Sequence, residues 1–469
     1  MAVTINYLIK NRLIWLFATV SFLAHAPLLS KYLEDWDSVQ FALALSHYSL
    51  PDHLPHPPGY PLYVMIGKIV DVFLQNPAQS LAFVSLISGS LSLVMIFFLT
   101  KKMFDATAAW VTVAIVAILP VVNMMSIVGL SNMPGQLFLL TFVLLIFNFQ
   151  KSTAKIPYVA LFAGLILGVR VTELPIIVSI LGLVLVKNWQ IKLFVKTALA
   201  FCAGVAIWLL PLVLYTGIDK FIQSYTWTAN YIFTHDTLQG AAAFGIDSQL
   251  VRLSKLANLS SAAFGNFLPG VFIAAGIWLL FKKCWQDDRY QFLATWFLSY
   301  FFVQVTFYNL EVTRYLLPLA VPGAIVVSTL PIWRQKKYFL LLVAALISFG
   351  LTFNQTVSQL TRFAQTIPPT IAPVLYVKDH YQPANTMLIT TFTYRQFQYY
   401  APEFVNYYQK IPPDLKFDTS AIVIIDFWGL KDQISQLSHF LVVDSLEFRG
   451  DWDIFPRISE VDLYVLKKR

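Results

Sequence analysis

The chain has 469 residues, of which 57% are hydrophobic and 12% charged, against about 25% charge in a soluble domain. A soluble core cannot use that much apolar surface. The net charge of +8 lies in small clusters between apolar runs rather than along one basic face, so the pattern excludes a nucleic-acid partner.

Apolar runs of roughly 20 residues recur, the length that crosses about 30 Å of hydrocarbon as helix. Taken in chain order they predict eleven transmembrane helices near 12–30, 81–100, 107–124, 134–149, 156–170, 172–187, 194–215, 264–281, 291–308, 315–333 and 338–354. Ala24-His25-Ala26 resembles a signal-peptide cleavage site, but Pro27 follows it and argues for an uncleaved first span. With the N-terminus inside, the clusters Lys10/Arg12, Lys101/Lys102, Lys151/Lys155, Lys187/Lys192/Lys196, Lys282/Lys283/Arg289 and Arg334/Lys336/Lys337 are all cytoplasmic, as the positive-inside rule requires. Cys202, within an apolar run, and Cys284, in a basic loop, lie at different depths and provide no disulfide framework or Cys-based metal site.

This topology divides the chain into a membrane domain, 1–360, with outer loops 31–80 and 216–263, and a soluble extracytoplasmic domain, 361–469. Within the first loop, Pro61 to Leu74 is a short apolar run interrupted by Lys68 and Asp71, which predicts an interfacial helix on the outer surface. After Phe363 the prolines Pro368, Pro369 and Pro373 end the helical pattern and charge returns. Strands are expected at Met387–Phe392, Ala421–Phe427, Phe440–Phe448 and Val461–Leu466, with short helices at Tyr394–Tyr400 and Lys431–His439, which together make a small α/β fold.

The candidate chemistry lies on the outer side. Glu34, Asp35 and Asp37 crowd the end of the first span. Like charges raise one another's pKa, and a carboxylate at the mouth of an apolar cavity can act as a general base; the alternative is a solvated acidic turn. Downstream, the nine residues from His53 to Pro61 include four prolines and Gly59, a rigid path suited to holding groups in place. His56 can orient a carboxylate, contact a phosphate or cap the following helix.

Arg170 lies at a tight junction between two spans, three residues from Glu173, and Arg314 opens another span in Arg314-Tyr315-Leu-Leu-Pro318. A charge beside hydrocarbon is costly, and the planar guanidinium suits phosphate. A local Arg170–Glu173 pair and snorkelling of Arg314 to headgroups are the structural alternatives. In the loop 218–263, Trp227, Tyr231, His235 and Asp236 can cover a cavity and contact a sugar, although an aromatic belt explains the rings equally well. His235-Asp236 alone makes no metal site.

Trp36-Asp37-Ser38-Val-Gln-Phe41-Ala42, followed by His56-Pro-Pro-Gly59-Tyr60-Pro61-Leu-Tyr63, resembles the first-loop signature of GT-C glycosyltransferases. It is similar in particular to bacterial relatives of the protein O-mannosyltransferases and the aminoarabinose lipid A transferases. The resemblance implies a transmembrane helical bundle with a catalytic aspartate in the first outer loop, two surface helices after it and a soluble tail. Asp37 is the matching aspartate. Related sequences often carry glutamate next, where this chain has Ser38, so Asp35 stays a candidate beside it.

The expectation that follows is an inverting glycosyltransferase in the cell inner (plasma) membrane with an extracytoplasmic active site. It would move a hexose or pentose from a polyprenyl-phosphate donor to a hydroxyl of a glycan, lipid or protein acceptor. Asp37, or else Asp35, is the base, Arg170 and Arg314 hold the phosphate, and Glu34, His56, Tyr60 and Tyr315 contact substrate. No cofactor is required, although a divalent metal can bind Asp35, Asp37 and a phosphate. A polytopic transporter or lipid flippase is the rival, but such chains show internal repeats and charges at the midplane; here no repeat is visible and the charges gather at the outer ends.

Overall fold

The structure is a computed structural model, and it describes residues 11–235, 249–265, 268–307, 312–391, 393–409, 421–426, 430–434, 440–452, 454–455 and 458–468. A helix occurs at each of the eleven predicted positions: α1 (Arg12–His25), α4 (Pro77–Met103), α5 (Ala106–Ile118) with α6 (Pro120–Ile127), α7 (Asn132–Phe149), α8 (Ile156–Ile166), α9 (Leu174–Lys187), α10 (Ile191–Thr216), α13 (Leu268–Lys283), α14 (Asp288–Phe307), α15 (Leu317–Ser328) and α16 (Phe339–Gln365). By length and composition, four helical stretches among the described residues can cross a membrane unaided: Pro77–Met103, Asn132–Phe149, Ile191–Thr216 and Lys336–Gln365. α5 and α6 together make a fifth.

The expected span 107–124 is therefore not one straight helix. It bends by 65° between α5 and α6, because Pro120 has no N–H to continue the ladder and pushes Leu119 into an extended conformation. The segment 216–263 also differs from the expected loop: it contains α11 (Ile218–His235) and α12 (Gln249–Phe264).

Asn76 and Asp105 cap α4 and α5, each accepting from a backbone N–H in the first turn. Between α8 and α10 the backbones meet at Gly164 and Gly204, where a Cβ on either would overlap the facing main chain. Small residues permit this approach, and the Trp208 indole closes it by donating to the Gly164 carbonyl at 3.0 Å.

The segment 31–80, expected as the first outer loop, folds into α2 (Trp36–Ser46) and α3 (Pro61–Leu74). α3 buries Tyr63, Val64 and Gly67 and exposes the apolar residues Met65, Ile69, Val72 and Phe73.

The tail contains α17 (Ala372–His380), β1 (Thr386–Thr390), α18 (Tyr394–Tyr400), β2 (Tyr407–Tyr408), β3 (Ala421–Asp426), α19 (Lys431–Ile434), β4 (Phe440–Arg449) and β5 (Glu460–Lys468). Its sheet has the order β2-β1-β3-β5-β4, with β2, β1 and β3 parallel and β5 antiparallel to both β3 and β4. β1 and β3 are buried throughout, as strands covered on both faces must be, whereas the edge strand β4 is largely exposed. The short β2 and the helix α17 lie beyond the elements read from the sequence.

The tail packs on the first loop. Leu360 and Phe363 at the end of α16, Ile454 and Phe455 of the tail, and Leu33, Val39 and Phe41 of the loop share one apolar cluster. Arg395 donates to the Asp52 carbonyl at 2.5 Å, and Tyr400 accepts from the Leu33 N–H at 2.7 Å.

Candidate active site

Asp35 caps α2, with its Oδ1 accepting from the Asp37 N–H at 2.9 Å. That places Asp37 in the first turn, where a carboxylate is favoured by the helix dipole. Arg314, in the 3-10 turn Thr313–Leu316 that opens α15, forks between the two carboxylates: Nη1 lies 2.5 Å from Asp35 Oδ2 and Nη2 lies 2.7 Å from Asp37 Oδ2. Residues almost 280 positions apart thus form the centre of the site.

The two aspartates are not equivalent. Both oxygens of Asp35 are committed, and its side chain is 12% exposed. Asp37 is 26% exposed, and its Oδ1 is approached by His56 Nδ1 at 3.6 Å. That histidine is not a charge partner, because its Nδ1 lies 2.8 Å from Gln40 Oε1 and its Nε2 lies 3.3 Å from the Tyr60 hydroxyl. Burial lowers its pKa against the pull of Asp37, so the neutral ring with its proton on Nδ1 fits both bonds.

The proline-rich path holds His56 in place. Gly59 has φ +92°, and a Cβ there would lie 2.5 Å from the Tyr48 hydroxyl, which donates to the Gly59 carbonyl at 2.8 Å. α11 clamps the same path: Tyr225 donates to the Pro58 carbonyl at 3.1 Å, and Trp227 meets the His53 ring edge-on at 4.7 Å. Trp227 and Tyr231 stack on each other at 5.7 Å; Asp236 lies outside the described residues.

Arg170 is buried, donates to Ser131 Oγ at 2.9 Å and lies 3.6 Å from Glu173. Gly135 makes room for it, since a Cβ there would come within 2.7 Å of the arginine's Cδ. Its charge is felt at Tyr60 and His56, on the Asp37 side of the site. Tyr315 places its ring 5.5 Å from the Arg314 guanidinium.

Beside these groups opens a chamber of about 440 Å³, lined by Glu34, Asp35, Trp36 and Arg314 together with residues of α6, α12, α16 and the tail. Among the predicted site residues, His56, Tyr60, Arg170, Tyr315 and Asp37 do not line it. Burial, and then the neighbouring Asp35, push the Glu34 carboxyl up to about 8 against the opposing pull of Arg314, so it is largely protonated at neutral pH. A second cavity of about 130 Å³ is almost wholly apolar and is bounded by α5, α12, α13, α14, α15 and α16. The two are adjacent: Leu119, Ser260, Leu316 and Thr352 line the apolar one, and Pro120, Ser261, Arg314 and Gln355 line the chamber.

Among the described residues no three of His, Cys, Asp and Glu gather as metal ligands. The outward oxygens of Asp35 and Asp37 hold a guanidinium, so as arranged this donor set does not fit a divalent ion.

Sequence reasoning missed Gln40, which orients His56, and Ser131, which holds Arg170. It also missed the tail's share of the site, where Thr370 and Gln396 donate to the Glu34 carbonyl at 3.1 and 3.3 Å and Tyr394 meets Trp36 edge-on at 4.9 Å. Gln396 sits among tyrosines with no spacing that marks it.

The family described as protein O-mannosyl-transferase TMEM260 N-terminal domain matches residues 43–131, which include His56 and Tyr60 but neither aspartate. ArnT from Cupriavidus metallidurans in the apo state superposes with a TM-score of 0.59 at 10% identity, covering 99% of this chain and 98% of that one. The same protein bound to undecaprenyl phosphate gives 0.58 at 10% identity, with 98% of each chain covered. This chain has an ArnT-like GT-C fold. The apo oligosaccharyltransferase of Archaeoglobus fulgidus superposes with a TM-score of 0.52 at 16% identity over 87% of this chain, which spans 62% of that protein's length. No curated protein matches the sequence significantly. The resemblance read from the first loop therefore extends, for the fold, along the whole GT-C-like bundle and its small C-terminal sheet.

Proposed function

We propose that this protein transfers a sugar from a polyprenyl-phosphate donor to an acceptor hydroxyl, with inversion, on the extracytoplasmic side of the membrane. The observation that carries the reading is the Asp35–Arg314–Asp37 fork at the edge of a polar chamber that adjoins an apolar groove. In this reading the isoprene unit next to the phosphate enters that apolar cavity of about 130 Å³, and the phosphate then meets Arg314 at the chamber. The undecaprenyl phosphate bound by the fold neighbour from Cupriavidus metallidurans supports a donor of this class.

In this reading Asp37 Oδ1 takes the proton of the acceptor hydroxyl. The acceptor oxygen attacks C1 of the sugar as the C1–O bond to phosphate breaks, and the electron pair leaves on the phosphate. Arg314 stabilises that charge where it develops. Asp35, spent on the cap and on Arg314, positions the pair, and neutral His56 lies beside Asp37 without drawing off its charge. Arg170 holds the wall behind Tyr60 and His56 and adds positive potential on the acceptor side.

The test is the purified full chain in proteoliposomes with a synthetic polyprenyl-phosphate hexose and an envelope-glycan extract. Release of polyprenyl phosphate with formation of a glycosidic product is expected. Translocation of the intact lipid without bond cleavage would refute the proposal and favour a flippase.

A further inference from the structure

The chamber's wall is built jointly by the last span and the tail. Gln355 and Gln359 lie one turn apart on α16, while Thr370, Gln396 and Trp452 come from beyond it, and Trp36 faces the same space from α2. Planar amides and hydroxyls match the vicinal hydroxyls of a sugar, and indole faces match its C–H surfaces. Trp452 is 52% exposed although it borders the chamber, so it spends little of its apolar surface on the fold. Among the described residues, the charged groups lining the space are Glu34, Asp35 and Arg314, and the last two are paired.

We propose that this wall reads the sugar of the donor, and that Trp452 and Gln355 are specificity-determining residues for a neutral hexose. The inference rests on the glycosyl-transfer reading and adds to it a location and a substrate class. The phosphate is held by Arg314 on one side of the chamber, and the hexose extends from it towards the tail. A carboxyl that stays protonated, as Glu34 does at neutral pH, can donate to a hydroxyl without demanding a cationic ligand.

The test compares binding of farnesyl-phosphate hexose and of farnesyl phosphate alone to the full chain in detergent micelles. Trp452→Ala and Gln355→Leu are each expected to weaken the sugar-bearing lipid about tenfold, the scale of one lost buried hydrogen bond or stacking contact, and to leave farnesyl phosphate unchanged. Equal weakening of both lipids, or no change in either variant, would overturn the assignment. Wild-type protein that binds the two lipids equally would remove the sugar site while leaving the lipid-phosphate reading intact, and wild-type protein that binds neither would remove both. A preference for an aminopentosyl or uronosyl lipid over the hexosyl one would overturn the neutral class.

Discussion

Asp37→Asn isolates the proposed base. The amide keeps the size of the side chain and can still present an oxygen to Arg314, which also retains Asp35 at 2.5 Å. No buried cation is orphaned, so the fold and the donor site should persist. What is lost is the acceptor for the hydroxyl proton, and general-base catalysis contributes roughly 10²–10⁴-fold, about 3–5 kcal/mol of barrier. Asp35→Asn is the matched control. Asparagine still caps the Asp37 N–H, since it is among the best capping residues, but its amino group must face Arg314 Nη1. A mispaired buried donor costs about 1–3 kcal/mol, which should appear mainly as a lower Tm. Transfer of labelled sugar from a synthetic donor, followed alongside donor binding and thermal unfolding, separates the two. Folded Asp37→Asn protein that binds donor and turns over at the wild-type rate would refute the mechanism and pass the role to Asp35 or Glu34.

Three further outcomes are expected. Arg314→Lys replaces a fork with a point charge that cannot bridge Asp35 and Asp37 together, so apparent donor affinity should fall more than in Arg170→Ala; the reverse order in a donor titration would move the phosphate to Arg170. The Glu34 carboxyl is raised from 4.5 to about 8, so the folded state holds a proton the unfolded state releases, and stability falls as pH rises through that window. Glu34→Gln should flatten that fall, seen as a Tm advantage at pH 9 that is absent at pH 4, and parallel Tm profiles would contradict it. In a Cys202→Ser background, a membrane-impermeant maleimide should label Cys284, beside Lys282 and Lys283, only after the cells are opened; labelling of intact cells would invert the proposed topology.

The positions of the helices and the stiffness of the first loop can be read locally, because each depends on short-range rules. An apolar run must form helix to satisfy its backbone in lipid, and Pro and Gly in the His53–Pro61 path stiffen it wherever it lies. Short runs of apolar, β-branched and aromatic residues likewise mark four of the five described strands. The bend at Pro120 follows from the same rules, although hydropathy runs smoothly through it.

The partners of those groups were decided by tertiary packing. Arg314 was visible as a costly charge at the start of a span, yet nothing local says that it closes on Asp35 and Asp37 rather than on a headgroup; that follows from the packing of α15 against the core. The proposed choice of Asp37 over Asp35 rests on the same packing, which commits both oxygens of Asp35 to the cap and the guanidinium. The tail reads from sequence as a separate soluble unit, whereas its Thr370 and Gln396 bond to the Glu34 carbonyl and its Phe455 shares a cluster with Phe41. Composition reports how much apolar surface must be covered, but which polar residues line the space left between covered surfaces is a property of the closed fold alone.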